Sequence, residues 1–290
     1  MLIAQLLVNA LALGAAYALV ALGFVLVLRA TGAVNFAQGD LVMAGGYCAI
    51  ALAAVLPLPG LALLPLVLVL MAVLGLALSA IAYHPLKDRP PVAVFISTIA
   101  VAIMLQNGAN SLFGAVPRAG PPLMGGGVLE IGGLVLPRQS VVLVAVAALL
   151  IAGQGLFLSR TQLGRALRAT AEDRDMARAL GIRANRMIAL TFALAAGFAG
   201  IAGMLLAPLY FVTPSEGTTL ILKAYIAATI GGWGSLAGAV AGALLIAAFE
   251  VLVSTAISHV AAEALLYGAL LAILFLRPQG LFGEAAGRRA

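Results

Sequence analysis

Residues Arg160–Arg186 read RTQLGRALRATAEDRDMARALGIRANR, the only long polar segment in an otherwise apolar chain. Arg160, Arg165, Arg168, Arg174, Arg178, Arg183 and Arg186 stand in it against Glu172, Asp173 and Asp175. Thr170 with Asp173 three residues on has the form of a capping box, the hydroxyl accepting from an otherwise orphan amide. Gly181 is the expected stop. The pattern therefore predicts a short helix from about Ala171 to Leu180, with Met176, Ala177, Ala179 and Leu180 as a modest apolar side and charge over the rest. A short charged helix between hydrophobic runs is open to water and to a partner.

Outward from this segment the solvent changes. The chain is 64% hydrophobic and 9% charged, with a mean hydropathy of +1.16. Soluble domains carry roughly a quarter charged residues. Repeated apolar runs of about 20 residues mark a polytopic helical membrane protein, all-α in class. The net charge of +6 could suggest nucleic acid, but 7 of the 16 basic residues lie in the one segment. Orientation in a membrane is the simpler cause, and no nucleic-acid partner is expected. Cys48 is the single cysteine and excludes an internal disulfide. No basic stretch precedes the first apolar run, so a retained first span is expected rather than a cleaved signal peptide.

In chain order the expected spans are 5–28, 41–56, 62–83, 92–113, 140–158, 187–207, an interrupted stretch 220–250, and 260–276. Between the first two lies TGAVNFAQGD, Thr31–Asp40. Residues 115–139 form a Gly- and Pro-rich loop on the external side. In it Val128 to Ile131, Gly132-Gly133 and Leu134 to Leu136 read as a small hairpin. Basic residues favour the cytoplasm, placing 160–186, Lys87, Arg89, Arg288 and Arg289 inside. Breaking 220–250 at GGWGSLAG (Gly231–Gly238) restores parity. About eight to nine membrane segments result, some of them half-length, with the N-terminus outside and the C-terminus in the cytoplasm. The whole of 1–290 is read as one transmembrane domain.

Several residues in these runs carry chemistry or packing. Asn35, Gln38 and Asp40 in NFAQGD either line a path, where irregular backbone is tolerated against protein or water, or cap the next helix near the cytoplasmic end. Gly234, Gly238 and Gly242 recur every four residues and leave one helix face bare for close packing, which is favoured over substrate contact. Glu250 is a carboxylate inside a span and hence a candidate functional group, unless it sits at the outer helix end. Tyr17, Gln106, Asn107 and Asn110 are the other polar groups of the spans, read mainly as interhelical hydrogen-bond partners, with Asn107 kept as a path candidate. His259 and Glu263, at i, i+4, read as solvated capping residues, since two ligands do not make a metal site. No G-x-x-x-x-G-K-[ST] loop exists, and the only lysines, Lys87 and Lys223, lie outside glycine-rich phosphate-binding contexts. This chain is not expected to bind ATP or magnesium, nor to be an enzyme.

Four stretches carry a resemblance. LGRALRATAEDRDMARALGI followed by ALTFALAAGFAGIAG (163–182 and 189–203) resembles the coupling loop of bacterial ABC importer permeases, specifically the branched-chain amino acid (LivH-type) permeases. Gly14–Asp40, KAYIAATIGGWGSLAGAVAG (Lys223–Gly242) and RPQGLFG (Arg277–Gly283) match the same family in the same order. The family's loop centres on Glu-Ala-Ala with a later Gly. Glu172, Ala177 and Gly181 are the nearest matches here, while Asp173 and Arg174 replace the small residues after the Glu.

The resemblance implies an ABC importer permease fold in the bacterial inner membrane. It implies that 171–181 docks on an ATPase, with Arg165, Arg168, Arg174 and Arg178 and the acids Glu172 and Asp173 at the contact. The implied partners are two ATPase subunits that bind ATP and magnesium, a second related permease, an external solute-binding protein and membrane lipid. Related permeases carry amides or urea. The readings from other classes are a stand-alone ion-coupled transporter using Glu250 or Asp40, and a membrane scaffold.

Overall fold

The computed structural model describes residues 2–125, 127–131, 134–277 and 280. Leu2–Thr31 (α1), Gln38–Val55 (α2), Gly60–Leu78 (α3) and Pro91–Phe113 (α4) form the first half. Then come strands Val128–Ile131 (β1) and Leu134–Pro137 (β2), helix Arg138–Arg160 (α5), and two short helices, Gln162–Glu172 (α6) and Arg174–Ala179 (α7). Ala184–Leu206 (α8), Glu216–Gly231 (α9), Leu236–Ala256 (α10) and His259–Leu276 (α11) complete the described chain. Eight of these helices are long and apolar enough to cross a membrane; α9, at 16 residues, is shorter than any of them. Helix α3 runs on into a π-helical turn, Ser79–Tyr83, and a 3-10 turn, His84–Leu86.

The two ends of the bundle follow from side-chain neighbours. Helix α8 leaves the charged segment at Ala184 and ends at Leu206, about 35 Å away at 1.5 Å per residue. At that far end lie the start of α9, the end of α10 and the start of α11, together with Leu13 and Tyr17 of α1. At the near end the turn between α9 and α10 meets Arg29 of α1, and Gly280 sits against Thr229 and Gly232. Helix α1 thus begins at the far end and the described chain finishes at the near one. The break in 220–250 was expected, and Gly231 to Ser235 makes it. Arg288 and Arg289 lie outside the described residues.

Small residues set the closeness of the packing. A Cβ at Gly203 of α8 would run into the Val42 carbonyl of α2, and one at Gly45 of α2 would strike the backbone of Gly200. These backbones touch, so α2 is held along α8 by van der Waals contact, the main driving force where lipid removes the hydrophobic one. Gly238 and Gly242 do the same on α9, against the carbonyls of Gly231 and Ala227. Gly234 is a correction to the expected every-fourth stripe. It lies in the turn at φ +84° and approaches only the Arg29 side chain, not a helix backbone; Gly231 takes its place in the packing.

The hairpin in the loop pairs antiparallel, Val128 with Pro137 and Ile131 with Leu134 in register. Its Gly132-Gly133 turn lies outside the described residues. The same loop is tied to the α8–α9 connection: Arg118 and Val212 exchange backbone hydrogen bonds of 3.1 and 2.8 Å. Gly120 N–H donates to the Ala207 carbonyl. The loop therefore closes over the far end of the bundle.

Candidate functional site

A cavity of ≈ 350 Å³ occupies that far end, between α1, α2, α8, α9, α10 and α11. Its polar wall is built on three helices. Lys223 of α9 donates to Glu250 Oε1 of α10 at 2.6 Å and to the Tyr17 hydroxyl of α1 at 2.9 Å. Tyr17 in turn donates to Glu250 Oε2 at 3.1 Å. Lys223 and Glu250 are 6% and 4% exposed, so each charge is removed from water and depends on the other. Glu263 of α11 approaches Lys223 to 4.0 Å and His259 to 3.8 Å. Val42, Met43, Leu206, Phe211, Val212 and Leu220 supply an apolar wall. A second cavity of ≈ 410 Å³ shares Leu13, Tyr210, Glu250 and His259 with the first.

Glu250 was expected either as a functional group or as a solvated helix end. It is buried and paired. Its partner Lys223 was not among the candidates. The sign available was a lone lysine in an apolar run, which must find an acid when buried. His259 and Glu263 do not cap α11; Ser258 does, accepting from Ala261 N–H. Both instead face the cavity. Among the described residues no cluster of three or more His, Cys, Asp or Glu is placed to hold a metal.

NFAQGD lies at mid-depth, not near the end. Gln38 donates to the Ala195 carbonyl, halfway along α8, at 3.0 Å, and the Asn35 side chain donates to Gln38 at 3.4 Å. Asn35 Oδ1 accepts from Ala37 N–H, and Thr98 of α4 accepts from Phe36 N–H. The chain re-enters the bundle here so that α2 starts inside it, and the Thr98 and Asn35 side chains satisfy the Phe36 and Ala37 amides just ahead of the helix. Asp40, 1% exposed, accepts from Gln106 of α4 at 2.9 Å. Asn107, the expected path residue of α4, faces outward and donates to its own Ile103 carbonyl; Gln106 is the side chain that reaches in. Replacing Gln106 by Leu is expected to cost about 1–3 kcal/mol, because Asp40 loses its side-chain donor in a buried setting. Asn107→Leu should stay within about 0.5 kcal/mol. Thermal unfolding of the two purified variants checks both.

The charged segment is two helices, which corrects the single helix expected at 171–180. Thr161, not Thr170, caps the first, accepting from Gly164 N–H at 2.9 Å, and the Thr170 hydroxyl donates back to the Ala166 carbonyl. Gly164, Leu167 and Thr170 recur every third residue and form the buried side of α6. Asp173 breaks the run and caps α7, accepting from Asp175 and Met176 N–H, both at 2.9 Å. Gly181 ends it at φ +81°, as expected, and Ile182 N–H donates to the Ala177 carbonyl.

Ala177 is buried, while Arg165, Arg168, Glu172, Asp173 and Arg178 line the water-facing side. Arg178 pairs with Asp175 at 3.1 Å. Leu163, Met176 and Leu180 are exposed apolar residues among these charges. Arg174 lies 5.7 Å over the Tyr83 ring at the end of the α3 extension, and Tyr83 packs on Phe192 of α8. Burial, then the neighbouring Arg178, push the Arg174 guanidinium below its ordinary range, with Asp175 opposing.

Residues 6–275 match the family described as branched-chain amino acid transport system, permease component. The chain belongs to that permease family. It is 34% identical to the branched-chain amino acid permease BraD of Pseudomonas aeruginosa, over 97% of this chain and 95% of that one. It is 32% identical to LivH of Escherichia coli K12, over 95% and 94%. LivM of the same organism, also named a branched-chain amino acid permease, is 33% identical over 50% of this chain and 35% of its own. No solved structure matches. As a permease-family member with eight apolar helices of spanning length among its described residues, the chain is a multi-pass membrane protein.

Proposed function

We propose that this chain is the membrane-spanning permease subunit of an ATP-driven importer for branched-chain or closely related amino acids. The observation that carries the coupling is the α6–α7 pair: a capped, charged platform presenting Leu163, Met176 and Leu180 to water. Apolar side chains held out among arginines, at the end of a membrane bundle, have the composition of a docking surface. The names of the relatives support the substrate class.

In this reading α6–α7 is cytoplasmic, the cavity faces outward, the N-terminus is outside and the C-terminus inside, in a bacterial inner membrane. ATP and magnesium reside on two ATPase subunits that grip α7. A second, related permease completes the pathway, and an external binding protein delivers solute to the cavity end. Closure of the ATPases moves α7. Arg174 carries that motion to Tyr83 and so to α3, Tyr83 to Phe192 of α8, and α8 to the α2 wall of the cavity. The elements move as packed bodies because their backbones are in contact.

Purification of the intact chain from its own membranes in mild detergent, with mass spectrometry of what accompanies it, tests this. Two P-loop ATPases and a second permease in stoichiometric amounts are expected. A homo-oligomer without an ATPase would overturn the reading in favour of ion-coupled transport.

A further inference from the structure

The cavity's charges are unbalanced. The ionisable side chains lining it are Glu216, Lys223, Glu250, Glu263 and His259, three carboxylates to one ammonium. An ammonium has three donors. Lys223 spends two on Glu250 and Tyr17, and Glu263 at 4.0 Å is beyond hydrogen-bond reach of the third. One Lys223 donor and the Glu263 carboxylate thus stand apart across a short gap, next to the wall of Val42, Met43, Leu206 and Val212. At ≈ 350 Å³ the cavity is at the small end of the ~300–1,000 Å³ range of ligand sites.

We propose that this cavity binds an α-amino acid by its zwitterionic head group. Lys223 takes the carboxylate, Glu250 and Glu263 take the ammonium, and the apolar wall takes the side chain. This rests on the importer reading above and adds that this subunit itself contacts the solute. A zwitterion fits because its carboxylate meets the idle Lys223 donor and its ammonium meets Glu250 and Glu263, so each charge the ligand brings into the low-dielectric site has an opposite partner. An amine alone answers the surplus carboxylates but leaves the Lys223 donor idle. A carboxylic acid alone meets surplus negative charge. A neutral amide needs neither group.

The test uses the complete assembly in nanodiscs without the solute-binding protein, and radiolabelled leucine binding by scintillation proximity. Leucine, isoamylamine, 4-methylpentanoate and isobutyramide are the competitors. Saturable leucine binding is expected, with competition falling from leucine to isoamylamine to 4-methylpentanoate. Lys223→Met alone is open to misfolding, so the decisive variant is Lys223→Met with Glu250→Leu, which leaves no lone buried charge. This double variant should assemble normally by gel filtration and bind leucine at least ~10-fold more weakly, about the effect of losing one charge-assisted hydrogen-bonded contact.

Wild-type leucine binding by the double variant, isobutyramide competing as well as leucine, or no saturable binding at millimolar leucine would each overturn the proposal. ATP-driven leucine uptake by the same assembly separates the two readings. Uptake that survives in the double variant sinks the site and leaves the importer standing. Lys223-dependent binding with no ATP-dependent uptake sinks the importer and leaves the site.

Discussion

Reversing the charge of Arg174 and Arg178 together is expected to abolish ATP-driven uptake while the bundle stays folded. Both residues lie on the six-residue α7, and α7 meets the rest of the chain mainly through Ala177 and the Arg174–Tyr83 contact. Placing like charges at a docking surface costs several kcal/mol, and ~3 kcal/mol lowers affinity roughly 150-fold. The ATPase should be lost on purification, and uptake with it. Arg174→Glu also removes its contact with the Tyr83 ring, worth about 1 kcal/mol. Tyr83→Leu therefore serves as the control: it loses that contact, keeps both arginines, and should retain the ATPase. If the double variant takes up solute like the wild type, α7 is not the coupling element.

The second large effect concerns stability. Lys223→Met alone is expected to destabilise the chain by about 3–5 kcal/mol, since it leaves Glu250 buried without its counter-charge. Glu250→Leu alone should cost a similar amount by stranding Lys223. The double replacement should recover most of either loss, because two apolar side chains of similar size remove the desolvation penalty along with the attraction. Tyr17 offsets part of either single loss: its hydroxyl can still serve whichever charge remains. The midpoint of thermal aggregation in detergent, measured at one heating rate, checks the order of the four proteins. Additive losses in the double variant would mean that the two charges are not coupled.

Particular residues show how far the chain could be read without its fold. The run lengths and the break at GGWGSLAG were legible because membrane-spanning helices must satisfy their own backbone over about 20 residues. The stop at Gly181 was legible because a left-handed φ favours glycine. The start of the charged helices was not. Thr161 and Thr170 are both competent caps, and the choice fell to Thr161 once Leu167 and Thr170 were drawn into the bundle as the buried side of α6. Asp173 then capped a second helix, a role its own sequence permits and the expected capping box concealed. Lys223 stood in plain view, yet four acids lie within or beside the apolar runs that could have answered it: Asp40, Glu216, Glu250 and Glu263.

By itself the sequence determined the solvent, the helical class, the family, and the position of the one long charged segment, because these depend on composition, local period and motif order. The tertiary structure decided the rest. It chose which acid pairs with Lys223, sent Gln106 and not Asn107 to Asp40, set NFAQGD at mid-depth, and gathered α1, α9, α10 and α11 around one cavity. The physical reason is that a buried charge or amide is compelled to find a partner but not told which one. That choice belongs to which helix backbones approach closely, and the close contacts Gly203–Val42 and Gly231–Gly238 join residues far apart in the chain or across a turn.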